Sequence, residues 1–226
     1  MITAPDSGLE KTIIEAIVAS AGPPRMRVKA SASQLHRCIR ALVLEQAKTT
    51  PREALPARAL LAFKVGHAVH ELIQAKLDAA CEERWETPFV IGHSDARMGN
   101  LMVDFKTIHA DGFIGIVKDG PKWEHQMQCN WYAIRAGCDF GAIVYVNKNG
   151  RLTDEQRKTT GWKGDAEWVK AWRFKVDADL AQAYEDKAKQ MLEHVEYGTL
   201  PEYDEIEECR FCGVRSACEA ARREGR

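Results

Sequence analysis

No stretch of this chain stays apolar for the length a bilayer crossing requires, so no membrane-spanning helix is expected. Charge of one sign is missing too: 32 Lys and Arg stand against 33 Asp and Glu. A surface so balanced does not attract nucleic acid as a whole, and any such contact has to come from local basic patches. There is no G-x-x-x-x-G-K-S/T phosphate loop, which excludes a built-in nucleotide-driven motor. Internal repeats, low-complexity tracts and domain-length linkers are absent, so one unit over residues 1–226 is expected. The opening residues Met1–Asp6 lack the charged-then-apolar layout of a secretion signal. The seven cysteines are odd in number and three crowd near the C-terminus, which suits a reducing, cytoplasmic setting better than disulfides.

What is present reads as alternating helices and strands. Apolar spacing predicts a helix over Leu9–Ala21, stopped by Gly22-Pro23-Pro24. A second helix is expected over Gln34–Ala47, capped from Ser31 or Ser33, with Leu35, Ile39, Leu42 and Val43 on its inner face. A long third helix, Ala57–Cys81, would bury Leu60, Phe63, Val69, Leu72, Ile73 and Leu77. Residues 110–120 read as a glycine-containing loop, Trp123–Ala136 as a helix and Phe140–Val146 as a strand, followed by a turn at Asn147–Gly150. A polar, mobile excursion over Thr153–Asp165, a strand over Trp168–Val176 and a helix over Leu180–Tyr197 complete the pattern. This order predicts an α/β architecture, one central mixed sheet covered by helices.

The chemistry concentrates on one predicted hairpin, Phe89–Ile91 and Leu101–Phe105, turning at Met98-Gly99-Asn100. Asp95 leaves the end of the first strand, and Asp104 and Lys106 share one face of the second. Two carboxylates and an ammonium on an apolar hairpin are costly to bury unless something uses them. A divalent cation with oxygen ligands would, and the lysine could orient its attacking water. His70 can add a nitrogen ligand, with Gly66 one turn earlier permitting close approach. His67 is the weaker histidine, and Glu71 points about 100° away around the helix. Gln128 and Tyr132, four apart, share a helix face.

A second cluster is Cys209, Cys212 and Cys218, spaced C-x2-C-x5-C. Three thiolates need a fourth ligand to close a tetrahedral zinc site or an iron–sulfur cluster, and spacing alone leaves both open. Cys81, Cys129 and Cys138 are expected to be packed. Basic candidates for a nucleic-acid patch are Arg25, Arg27, Lys29, Arg37 and Arg40, with Lys158, Trp162 and Lys163 on the polar excursion, where the indole could stack on a base.

The order G-x-x-x-H, G-x-x-D, D-x-K, Q-x-x-x-Y resembles the PD-(D/E)xK nuclease superfamily, in particular its RecB-like branch. The resemblance implies a restriction-endonuclease-like α/β fold. It also implies magnesium or manganese on His70, Asp95, Asp104 and the Phe105 carbonyl, a catalytic Lys106, and Gln128 and Tyr132 completing the site. Ser94 stands where the superfamily has proline, and Asp104 where glutamate is commoner. Ser31-x-Ser33-x-Leu35 before Cys38-Ile-Arg40 further resembles the exonucleases with an iron–sulfur cluster among CRISPR-associated nucleases and AddB-type repair subunits. By that resemblance Cys38, from a helical part over residues 1–50, would join Cys209, Cys212 and Cys218, from residues 199–226, around a [4Fe-4S] cluster. The metal cluster would then join the N-terminal helices to the C-terminal tail. The implied activity is a metal-dependent DNA exonuclease on single-stranded or frayed ends, serving recombination, repair, phage DNA metabolism or CRISPR adaptation, with replication, recombination or CRISPR proteins as partners. The alternatives are a structure-specific endonuclease with the same site and a non-catalytic DNA-binding subunit.

Overall fold

A computed structural model describes residues 7–20, 29–47, 55–160, 168–203, 209–210 and 212–225. At its centre is a six-stranded mixed sheet: β1 (Ala30–Ser31), β2 (Ala80–Glu86), β3 (Val90–Met98), β4 (Leu101–Ile108), β5 (Phe140–Asn147) and β6 (Val169–Lys175). The order is β1-β3-β4-β5-β6, with β2 also pairing to β3. The β1/β3 and β4/β5 pairs are parallel and the rest antiparallel. A parallel β4/β5 pair needs a crossover, and two helices supply it, α4 (Ala110–Asp119) and α5 (Trp123–Arg135). The remaining helices are α1 (Ser7–Ala19), α2 (Ile39–Gln46), α3 (Ala57–Gln74), α6 (Asp154–Thr160), α7 (Ala178–Tyr197) and α8 (Arg215–Arg223), numbered in chain order with α4 and α5 between α3 and α6.

Strand alternation gives the sheet two unequal faces. Met102, Ile143 and Tyr145 face the main core, packed with Cys129 and Trp131 of α5 and with Tyr184, Ala188 and Met191 of α7. Val103 and Phe105 face the other way, into a smaller cluster with Ala96 against which Ile73 and Leu77 rest. Trp131 is wholly buried, and its indole N–H donates to Glu185 at 2.7 Å. Glu185 also accepts from the Thr87 hydroxyl at 2.9 Å, so the buried carboxylate is satisfied on both oxygens. Asn130 exchanges two hydrogen bonds with the Asp177 backbone, at 2.7 and 2.8 Å, and Asp177 caps α7 by accepting from the N–H groups of Asp179 and Leu180. These contacts fix α5, the helix carrying Gln128 and Tyr132, between sheet and α7.

Several expectations are corrected. The long helix ends at Gln74 rather than Cys81, and Cys81 lies in β2. The inward set of β2 is Cys81, Glu83 and Trp85, and Glu83 is held by two hydrogen bonds from Arg97, so the charges hid the strand alternation. None of the α3 side chains is buried: Phe63 is 65% and Leu72 is 70% exposed, against the core positions expected of them. Residues 110–119 form α4 instead of a loop, because burial of Phe113 and Ile116 outweighs the roughly 1 kcal/mol that each internal glycine costs. Asp95 lies inside β3, a longer strand than expected, and the hairpin turns on Gly99-Asn100 with Gly99 at φ 57°. Ser31 precedes a short 3-10 turn over Ala32–Gln34 that contains Ser33, and the next helix begins only after Cys38. The polar excursion starts as α6, while 161–167 lie outside the described residues. No helix among the described residues is long and apolar enough to cross a membrane.

Candidate active site

The site forms where β3 and β4 part. Their ladder runs for three pairs from the turn, Met98–Leu101, Arg97–Met102 and Ala96–Val103. At the next step a side chain replaces the backbone: the Phe105 N–H donates to Asp95 Oδ2 at 2.6 Å. The β2/β3 ladder also skips this residue, because Glu82 takes a left-handed φ of 54°. Gln74 of α3 fills the gap, donating to the Asp95 carbonyl at 2.7 Å and to Glu82 at 2.8 Å. Asp95 is thus the residue at which β3 leaves β4 and pairs with neither neighbour, the β2 ladder resuming at Ser94.

Asp104 and Lys106 point from β4 toward α5. Asp104 is 1% exposed, and Lys106 Nζ donates to its Oδ1 at 2.9 Å. Oδ2 stands 2.7 Å from the same nitrogen yet receives no hydrogen bond of usable geometry. Burial raises the Asp104 pKa to about 6, against the pull of the Lys106 charge and with the help of Asp95. Burial works to lower Lys106, but the charges of Asp104 and Asp95 together with the Asp104 hydrogen bond outweigh it and hold the ammonium above its ordinary value. Lys106 also donates to Gln128 Oε1 at 3.2 Å, and Gln128 shares its helix face with Tyr132. Burial pushes the Tyr132 phenol well up, though Gln128 works to lower it, so it stays neutral.

Tyr132 lies directly over Gly92: a Cβ there would fall on the Tyr132 hydroxyl and ring edge and on Ala32. Gly92→Ala is therefore expected to displace Tyr132 and cost about 1–3 kcal/mol in urea unfolding. The cost should largely vanish in a Tyr132→Ala background; an additive double variant would disprove the contact.

His70 arrives from the opposite side of the sheet. Its Nδ1 is 3.6 Å from Asp95 Oδ1, beyond hydrogen-bond length but within ion-pair range, and its ring meets Phe105 edge-on. Burial works to lower its pKa, but the neighbouring Asp95 carboxylate, with Asp104 behind it, outweighs this and leaves it raised. Gly66 lets α3 come close: a Cβ there would stand 2.8 Å from Thr107 Oγ1. His67 instead pairs with Glu71 at 3.2 Å on the exposed surface. His70, Asp95, Asp104, Lys106, Gln128 and Tyr132 are thus brought together.

A hard cation fits these donors. Asp104 Oδ2 is a buried carboxylate oxygen without a hydrogen-bond partner, and oxygen-seeking ions satisfy such atoms. The Phe105 carbonyl leaves its strand on the same edge as the N–H that Asp95 accepts, so it faces the same opening. As placed, no three His, Cys, Asp or Glu side chains among the described residues form a ready-made metal cage.

All seven cysteines are free thiols. Cys38, Cys212 and Cys218 border one small apolar cluster of Ala41, Leu44 and Val214, where α2 meets α8. Cys209 is tied in through its carbonyl, which accepts from the Cys212 N–H at 3.4 Å. Among the described residues no group of three or more of these thiols forms a site that could hold a metal ion, so the cluster expected to join the chain's two ends is not shown. Arg40 is 2% exposed and donates to Cys218 Sγ at 3.3 Å and to the Pro201 carbonyl, which removes it from any DNA-facing surface. Arg37 holds Glu45 through two hydrogen bonds, and Lys29 holds Glu86 at 2.7 Å and the Thr87 carbonyl. Both basic groups expected to grip DNA are thus committed within the protein. Lys158 is exposed on α6, whereas Arg25, Arg27, Trp162 and Lys163 lie outside the described residues. Cys129 and Cys138 are buried, and Cys81 is half-buried.

One residue beside the site escaped the sequence reading. His125 lies on the α5 face shared by Gln128 and Tyr132, and its Nδ1 is 2.8 Å from the Tyr145 hydroxyl. Its position three residues before Gln128 was the available signal.

Known structures share this fold. That of SSO0001 matches with a TM-score of 0.55 at 15% identity, covering 92% of this chain and 95% of its own. An alkaline exonuclease from Laribacter hongkongensis matches at 0.52 and 14% identity, over 81% of this chain and 93% of its own. A phage-related exonuclease from Haemophilus somnus 129PT matches at 0.50 and 14%, over 75% and 94%. No protein-family model matches the chain, and no curated protein matches its sequence.

Proposed function

We propose that this chain is a metal-dependent DNA exonuclease of the PD-(D/E)xK superfamily, RecB-like, acting on single-stranded or frayed ends. The observation that carries the reading is the buried Asp104–Lys106 pair with one carboxylate oxygen left unshared, at the opening where Asp95 and His70 meet. That two of the solved structures with this fold are exonucleases supports the choice of reaction.

In this reading Asp95, Asp104, His70 and the Phe105 carbonyl hold Mg2+ or Mn2+, which supplies positive charge against the scissile phosphate and acidifies the water beside it. Lys106 is held as an ammonium by Asp104, so it orients the attacking water by donating to it and does not take its proton. Gln128 keeps the Lys106 amine aimed, and Tyr132 stands beside Gln128 on the same helix face. Residues 1–226 form one nuclease domain. In the same proposal Cys38, Cys209, Cys212 and Cys218 carry a [4Fe-4S] cluster, with zinc as the alternative occupant; colour and elemental analysis of anaerobically purified protein separate the two.

The deciding experiment incubates end-labelled linear single-stranded DNA with the protein in manganese, magnesium or chelator. Cleavage that chelator abolishes, with circular single-stranded DNA left intact, is the expected result. Cutting of the circle would make the protein an endonuclease, and no metal-dependent cutting would remove the enzyme reading. Protons should compete with the ion, because burial lifts Asp104 to about 6. Mn2+ affinity, read by electron paramagnetic resonance, is expected to fall as the pH drops, first as His70, whose pKa is raised, takes up a proton and then more steeply below about 6 as Asp104 does. Affinity unchanged down to the ordinary carboxylate range would contradict Asp104 as a ligand.

A further inference from the structure

His125 stands one helical turn from Gln128, the residue that accepts from Lys106 at 3.2 Å. It is held by Tyr145, which pairs with Lys106 across β4/β5 and so projects from the same face of the sheet, next to it. The Tyr145 hydroxyl accepts from the Lys122 N–H at 3.0 Å and lies 2.8 Å from His125 Nδ1. Tyr145 is wholly buried, and a buried hydroxyl hydrogen needs an acceptor. Among the described residues Nδ1 is the acceptor in reach, so Tyr145 donates to it and the imidazole proton sits on Nε2. Nε2–H has no protein partner among the described residues, and it is not sealed from solvent. Burial, with the charges of Lys106 and Lys122, depresses the His125 pKa to about 3, so the ring is neutral wherever DNA is stable.

The result is a fixed, uncharged N–H beside the Lys106 ammonium. Such a donor suits a phosphate oxygen: it adds a hydrogen bond without a second buried charge next to Lys106. We propose that His125 contacts the substrate, its Nε2–H donating to a non-bridging oxygen of the phosphate that Lys106 faces, with Tyr145 as the positioning residue that sets the tautomer. This rests on the nuclease reading and adds a residue to it.

Two measurements on the full chain test the assignment. In long-range 1H–15N spectra His125 is expected as the Nε2–H tautomer, with the tautomers mixing in Tyr145→Phe. Adding a short single-stranded oligonucleotide in calcium, in place of the activating metal, should shift the Nε2 resonance of the wild type. In cleavage assays His125→Ala is expected to lower kcat/KM about a hundredfold, and His125→Gln, which keeps an amide donor, to recover part of it. A protonated Nδ1, an Nε2 resonance indifferent to DNA, or a folded His125→Ala variant with wild-type kcat/KM each overturns the proposal while leaving a cleaving wild type a nuclease. A wild type that neither cleaves nor binds DNA overturns both. Should His125→Ala fail to fold, the spectra of the wild type still decide.

Discussion

Lys106→Ala and Asp104→Asn are each expected to lose about a thousandfold or more of chelator-sensitive cleavage, with the fold retained. The two losses have different causes, and stability separates them. Asp104→Asn keeps the shape and leaves Lys106 two neutral acceptors, the new amide oxygen and Gln128 Oε1. It removes the charge that a cation needs. Folding raises the Asp104 pKa, so its protonated form favours the fold; that contribution is full below the ordinary carboxylate pKa and is lost as pH rises through about 6. At neutral pH the asparagine variant should therefore not melt below the wild type. Lys106→Ala strips a buried carboxylate of its counter-ion, and this variant should be the less stable of the two. Rates on end-labelled DNA and melting curves on the same preparations make the comparison. A folded variant of either kind cutting at the wild-type rate would refute the assigned roles.

The largest structural effect is expected from Trp131→Ala, about 3–5 kcal/mol in urea unfolding. The side chain is wholly buried between sheet and α7, so truncation leaves a cavity that close-packed neighbours fill only in part. It also deprives Glu185 of its indole donor, leaving a buried carboxylate oxygen with Thr87 alone to serve the group. Against a total stability of about 5–15 kcal/mol for an ordinary domain, the loss brings the protein near its limit. Trp131→Phe restores most of the volume but not the donor, so the difference between the two variants isolates the hydrogen bond. If Trp131→Ala unfolds within about 1 kcal/mol of the wild type, α5 is not anchored as described.

The local pairs of the site were legible because short spacings dictate them, whereas the joining of His70, Gln128 and Tyr132 to the hairpin was expected from the family resemblance. Asp104 and Lys106 share a strand face, Gln128 and Tyr132 share a helix face, and a hairpin returns Asp95 to Asp104. Strand β2 was not legible, since the charged run Glu82, Glu83, Arg84 masks its alternation and Glu83 is ordered by Arg97 of the neighbouring strand. Helix α4 was obscured by Gly112 and Gly115, whose local preference yields to the burial of Phe113 and Ile116. His125 stayed hidden because its importance comes from Tyr145, a residue twenty positions away in sequence on another element. Arg40 misled in the opposite sense: a basic residue near a candidate DNA patch turned out to serve Cys218 and Pro201 in the interior.

The helices on either side of the carboxylates are held very differently. Seven consecutive side chains of α5, Met127 to Ala133, are buried, whereas α3, which delivers His70, buries none. Its hold on the sheet comes from the close approach at Gly66, the ring contact of His70 with Phe105, the Gln74 amide and the packing of Ile73. One helix beside the carboxylates is therefore rooted in the core while the other is clasped at a few points, so the α3 side can give way without loosening what keeps the protein folded.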